Sequence, residues 1–405
     1  MRIKAKIEKE LRKKSGIPII ELIDSIIEHA NGLRASDIHI DPLQDKIRVR
    51  FRIDGILEDI YFAPINIHSQ IISRIKILSG LRTDEHNAAQ DGRFRKEIKK
   101  IGPLDIRVSI APTYYGENAV LRLLANRAQE FTLDTLGFNE NDKKKILQAI
   151  SKPYGMILAT GPTGSGKTTT LYTLMQLLNK KDVAIITIEE PIEYAIEGVK
   201  QVQVNPRTGL TFANGLRSFL RQDPNIIMVG EIRDAETASL AVNTALTGHL
   251  LLSTLHTNDA ATTLPRLLDM KVEPFLVAST VNIAIGQRLV RTICPECKTS
   301  REMTDGEYEN LLRFSPAGVD RYQLLYFGKG CENCNQSGYR GRIGIYEILV
   351  LDNDLREAIL RKCSSDEVKK VAIRGGMATM VEDGLTKVKS GLTTIDEVIR
   401  VIHEK

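Results

Sequence analysis

Nine consecutive residues, Gly161, Pro162, Thr163, Gly164, Ser165, Gly166, Lys167, Thr168 and Thr169, carry the spacing G-x-x-x-x-G-K-[ST]. The pattern suits a phosphate chain. Glycines let the backbone curl until successive N–H groups point at one anion. Lys167 adds a point charge for the β- and γ-phosphates, and the Thr168 hydroxyl can hold Mg2+. Splitting ATP also takes a carboxylate for the metal and one that orients or deprotonates the attacking water. Two apolar runs end in acids. NIIMVGE (225–231) closes on Glu231, and VAIITIE (183–189) closes on Glu189, with Glu190 and Glu193 just beyond. Glu231 is expected to serve the metal or its water, and Glu189 or Glu190 the attacking water. Glu193 reads more simply as part of a solvated acidic turn. HLLLSTL (249–255) is followed by His256, placed to reach a γ-phosphate or the catalytic carboxylate. His249, which opens that run, is a weaker candidate.

Charge builds on the transferred phosphoryl group, and an arginine from another domain or subunit commonly completes such a site. Arg93 and Arg107 are the candidates, while most arginines around them read as solvent-facing strand charges. Cys294, Cys297, Cys331 and Cys334 form two C-x-x-C pairs, each able to chelate one side of a tetrahedral Zn2+. Four thiolates make a closed, structural site. The 33 residues between the pairs exceed the loop of a compact zinc ribbon. Cys363 reads as a small core residue.

These groups need elements to hold them. Strands and helices alternate from residue 155: GMILAT (155–160), a helix over 168–179, the strand 183–189, helix 212–222, strand 225–231, helix 235–247 and strand 249–255. Asp234 is the N-cap of the 235–247 helix and Gly248 its stop. Alternation of this kind predicts a mainly parallel sheet with helices on both faces, and ligands at the strands' carboxyl ends. Upstream, 1–14 is basic on a helical spacing, a solvated face or a partner-touching one. An amphipathic helix over 17–30 follows. Segment 46–61 alternates apolar and Arg residues and turns at Asp54 and Gly55, a hairpin. A helix over 69–80 precedes a second hairpin turning at Gly102 and Pro103. Residues 123–136 read as a linker. The tail 352–405 is helical by pattern, with a capping box from Thr394 to Glu397.

The chain has 405 residues, ordinary globular composition and length for two to three domains. No apolar run approaches the ~18 residues that span a bilayer, and the charged N-terminus is no secretory signal. A cytoplasmic protein without direct membrane insertion is expected. Net charge is +5 and diffuse, Trp is absent and aromatics are 5%, which argues against a base-stacking platform for nucleic acid.

The segments, in this order, resemble the secretion ATPase superfamily, close to the assembly ATPases of type II secretion and type IV pili. RASDIHIDP, QDGR, GPTGSGKTTT, ITIEEPIEY, LRQDPNIIMVGEIRD, GHLLLSTLHTNDA, GQRLVRTICPEC, CENC and GYRGRIGIYE carry the likeness. The resemblance implies a PAS-like α+β domain (1–125), a linker (126–136), a RecA-like α/β ATPase core (137–290), a tetracysteine zinc insert (291–341) and a helical C-terminal region (342–405). It implies ATP bound between the two main domains of a homo-hexamer, at the inner face of the cytoplasmic membrane. The partners it implies are a polytopic platform protein and associated secretion components. By position, Lys167 and Thr168 serve phosphate and Mg2+, Glu231 and one acid of ITIEEPIEY serve metal and water, and His256 senses the γ-phosphate. Glu190 stands where the family usually has Asp. The zinc element favours filament extension over retraction. The chain begins almost at the family's second domain, so a preceding platform-docking domain is expected to be missing or cut away.

Overall fold

The computed structural model describes residues 2–12, 16–98, 102–124, 131–314 and 323–403. It divides into two compact units, Met1–Gln129 and Glu130–Lys405.

The first unit is one antiparallel sheet of six strands: β1 (Asp37–Pro42), β2 (Lys46–Ile53), β3 (Ile56–Pro64), β4 (Gln90–Ile98), β5 (Gly102–Thr113) and β6 (Gly116–Leu124), in the order β3-β2-β1-β6-β5-β4. Strict alternation in β2 buries Ile47, Val49 and Phe51 and turns Arg48, Arg50 and Arg52 to the other face. Helices Ile19–Gly32 and His68–Ser79 cover the apolar face, with Ile23, Ile26, Ile27, Ile71, Ile72 and Ile75 in its core. Asp54 and Gly55 both have positive φ, 47° and 92°, as a two-residue type I′ turn requires. In the second hairpin the expected turn residues Gly102 and Pro103 are already in β5, paired with Ile98 and Glu97, and residues 99–101 lie outside those described.

The second unit is α/β. Its strands are β7 (Gly155–Thr160), β8 (Ile185–Glu189), β9 (Val199–Gln203), β10 (Ile226–Val229), β11 (Leu250–Leu255), β12 (Val281–Ile293), β13 (Lys298–Glu302), β14 (Leu324–Gly328) and β15 (Tyr339–Val350). Seven form one sheet, β15-β12-β7-β11-β10-β8-β9. Every neighbouring pair is parallel except β12 with β15. Successive strand residues feed opposite faces. Met156 and Leu158 join the cluster under helices Phe212–Phe219, Ala235–Leu246 and Ala260–Asp269, while Ile157 and Ala159 join the one under Glu140–Ile150 and Lys167–Leu178. This is the RecA-like layering, with an antiparallel edge added.

Three expectations change. The expected linker over 123–136 is partly structured: Leu123 and Leu124 end β6, and Leu133–Leu136 is a helical turn capped by Thr132. Residues 125–130 fall outside the described part. The region beginning at 342 opens as strand, because β15 runs to Val350 and helices start only at Asn353. The 394–397 capping box is half made. Thr394 Oγ1 accepts the Glu397 N–H at 3.3 Å, but the Glu397 carboxylate goes to Arg291 and Arg400.

Candidate active site

β7 delivers the chain to the phosphate loop, and the helix Lys167–Leu178 leaves it. Gly161, Gly164 and Gly166 have φ of 143°, 79° and 90°. A Cβ on Gly161 would stand 2.4 Å from the carbonyl oxygen of Gln287 on β12, so only glycine fits there. Pro162, Thr163 and Gly164 are exposed at the loop's crest, Thr168 and Thr169 are half-buried at the helix start, and Ser165 is buried. The Ser165 carbonyl accepts from Gln287 Nε2 at 2.7 Å. Lys167 Nζ donates to Gly161 O at 2.8 Å and Pro162 O at 3.0 Å. Burial lowers the Lys167 pKa, and the nearby Glu231 carboxylate opposes that shift.

Beyond β10, Gly230 passes so close to β8 that a Cβ would lie 3.2 Å from Ile188 O. Glu231 follows. Its Oε2 is 3.0 Å from His256 Nε2, and its Oε1 is 2.5 Å from Arg233 Nη2. Arg233 Nη1 donates to Glu190 Oε2 at 2.9 Å. Glu190, Arg233, Glu231 and His256 are therefore one connected chain across three strand ends, with Lys167 within electrostatic reach of Glu231.

Glu189 is not in that chain. Strand alternation turns it to the opposite side, where it is 2% exposed. It accepts from Thr187 Oγ1 at 2.6 Å, from Gln201 Nε2 at 3.2 Å and from the Tyr172 hydroxyl of the helix Lys167–Leu178. Burial raises its pKa, and those donors offset part of the rise. His249 opens the other end of the β11 segment, with Nδ1 3.2 Å from Thr244 O. Arg93 and Arg107 belong to the first unit, as cross-strand partners on β4 and β5. Register continues the row through Arg122 to Asp37, whose Oδ1 accepts from Arg122 Nε at 3.0 Å.

Arg233 was not singled out in the sequence. It sits two residues past Glu231, and residues two apart in extended chain share a side. Gln287, Tyr172 and Gln201 carry no local signal.

The four cysteines converge. Sγ separations are 3.8 Å (Cys294 to Cys331), 3.8 Å (Cys297 to Cys334) and 3.6 Å (Cys331 to Cys334), with all four within 4.8 Å. A tetrahedral ion with Zn–S near 2.3 Å sets its sulfurs about 3.8 Å apart, whereas a disulfide needs about 2.0 Å. The donor set fits zinc. Burial opposes the Cys334 thiolate, but N–H donors from Cys331 and Gly338, at 3.2 and 3.3 Å, help bring its pKa to about 7. The described part of the long spacer is structured. β13 and β14 pair antiparallel, and Lys298 opposite Gly328 returns the second cysteine pair to the first.

Residues 12–400 match the family described as type II/IV secretion system protein. The chain is 45% identical over 382 residues to the type IV pilus assembly ATPase PilB of Myxococcus xanthus, covering 94% of this chain and 67% of that one. It is 45% identical over 392 residues to type II secretion system protein E of Xanthomonas campestris pv. campestris, covering 96% and 68%. Its structure is similar to the crystal structure of the pilus retraction motor PilT with bound ADP, with a TM-score of 0.63, 27% identity and coverage of 94% and 96%.

Proposed function

The chain belongs to the type II/IV secretion system protein family, and from that premise we propose how its site works and what it drives. It is an ATPase of the kind that powers type II secretion or type IV pilus assembly. We place it in the cytoplasm as a homo-hexamer, docked at the inner face of the cytoplasmic membrane on a polytopic platform protein and its associated components. Hydrolysis of ATP to ADP and phosphate there extends a pilus or pseudopilus.

One observation carries the assignment: a buried phosphate-loop lysine faces a connected acid, histidine and arginine chain at the carboxyl ends of parallel strands. The loop N–H groups and Lys167 hold the β- and γ-phosphates. Thr168 and Glu231 are the groups that would hold Mg2+, which when bound would supply positive charge against the phosphates. Glu190, on the same side as Glu231, takes the proton of the attacking water. His256, bonded to Glu231, reads the γ-phosphate. Arg93 and Arg107 complete the charge balance in the assembled ring. The four cysteines hold Zn2+ as a closed structural site.

The test is light scattering with and without a non-hydrolysable ATP analogue, followed by the ATPase rate of each species. A hexamer with a higher rate per subunit than the monomer supports the proposal. A monomer fully active at every concentration refutes the ring-shared site.

A further inference from the structure

His256 stands on a short loop, 256–259, between β11 and the helix Ala260–Asp269. Among the described residues no strand pairs with this loop, so other groups hold it. Thr160, the residue before Gly161, accepts the Thr257 N–H on its hydroxyl at 3.1 Å, which ties the loop to the root of the phosphate loop. Asp259 caps the helix, accepting from the Thr262 N–H at 2.8 Å, and meets Lys369 Nζ at 3.0 Å.

A further support comes from the far edge of the sheet. Glu347 on β15 is 2% exposed, and its Oε1 accepts the Ala260 N–H at 2.5 Å. To get there its side chain crosses Gly286, its register partner on β12. A Cβ on Gly286 would stand 2.8 Å from Glu347 Cγ and 2.9 Å from Ala260 N, so the crossing exists only because residue 286 has no side chain. The next register pair is Gln287 with Tyr346, and Gln287 is the residue that holds Ser165 of the phosphate loop. Neighbouring rungs of one antiparallel ribbon thus support both lips of the site. A carboxylate at this depth is unfavourable unless hydrogen-bonded, and a hydrocarbon would fill the space more cheaply. What the carboxylate adds is its hold on the first N–H of a helix that begins four residues after His256.

We propose that Glu347 is a positioning residue for ATP hydrolysis: by holding the Ala260 N–H it fixes His256 against Glu231, and it acts on turnover through His256 without touching nucleotide. The proposal rests on His256 and Glu231 being site partners, as argued above. The experiment measures kcat, KM for ATP and thermal unfolding of the full chain. Glu347→Leu removes the acceptor and keeps the bulk, and is expected to lower kcat by about tenfold or more, the penalty of misplaced catalytic geometry. KM changes little, because Lys167 and the phosphate loop keep their contacts. Glu347→Gln still offers a carbonyl oxygen to the same N–H and loses less than about threefold. Gly286→Ala presses on both Glu347 Cγ and Ala260 N, breaks the same contact and repeats the leucine result, which keeps the test open if Glu347→Leu does not fold. Combined with His256→Ala, Glu347→Leu adds no further loss, as expected for groups acting as one unit. Losses that multiply in the double variant overturn the proposal. So does a folded Glu347→Leu or Gly286→Ala chain with wild-type kcat. A wild-type rate in His256→Ala overturns the site reading itself, and the inference with it, which separates the two failures.

Discussion

Glu189 and Glu190 are neighbours in the chain, yet replacing each with glutamine should have opposite consequences. The Glu190 side chain is 37% exposed and makes a surface ion pair with Arg233, an interaction worth about 0–1 kcal/mol. Glu190→Gln should therefore leave unfolding nearly unchanged. As the proton acceptor its loss costs about 10²- to 10⁴-fold in kcat, or roughly 3–5 kcal/mol of transition-state stabilisation. Glu189 accepts from three donors in a buried setting. A glutamine there keeps one acceptor oxygen and turns an N–H group toward one of those donors. The cost is about 1–3 kcal/mol, a fall in Tm of roughly 2–10 °C for a unit of this size, with kcat per folded molecule changing far less than in Glu190→Gln. A coupled ATPase assay at saturating ATP, paired with thermal unfolding, reads both. If Glu189→Gln abolishes turnover at an unchanged Tm while Glu190→Gln stays active, the assignment of the two acids is reversed and the proposed water-activating chain fails.

The remaining predictions follow from other parts of the molecule. Burial pushes the Glu397 carboxyl up, but Arg400 and Arg291 outweigh it and hold its pKa at about 2, below the ordinary 4.5. A depressed carboxylate stabilises the fold above its unfolded pKa and loses that contribution as pH falls through the folded one, here between 4.5 and about 2. The contribution at neutral pH is about 3 kcal/mol. Glu397→Gln should destabilise the second unit at pH 7 and flatten its acid unfolding in that window, read by urea titration at several pH values; an unchanged acid profile counts against the pairing. Metal analysis should return about one zinc per chain, and Cys331→Ser should lower both that content and Tm. A metal-free chain with the wild-type Tm removes the zinc assignment. Arg93→Ala and Arg107→Ala should each lower kcat by about tenfold or more; full activity in both would exclude them from the reaction.

The phosphate loop and the parallel strands were legible because their signals are local. Glycine spacing encodes loop curvature, and fully buried strands such as Ile226–Val229 read as unbroken apolar runs. The edge of the sheet was not. β12 and β15 mix Gln287, Arg288, Arg342 and Glu347 with apolar residues, because one strand lies against a helix start and both run out to the cysteine cluster. β9, with sequence VKQVQ, is an edge strand with the same ambiguity. Choosing between Glu189 and Glu190 needed the register of β8, which a shift of one residue would invert. The missing half of the 394–397 capping box has a related cause. Arg291, more than a hundred residues upstream, claims the carboxylate that local spacing assigned to the helix start.

β12 lies beside β7, so the strand that leads into the phosphate loop gains its second neighbour from chain made more than a hundred residues later. During synthesis from the N-terminus, the nucleotide-binding half emerges with its central strand open along one side. An open apolar strand recruits other chains, and closing such a distant pairing is slow. Ribosome-bound fragments that stop short of Val281 should therefore bind chaperones or aggregate rather than bind nucleotide, and competence should arrive abruptly once β12 and β15 have emerged together.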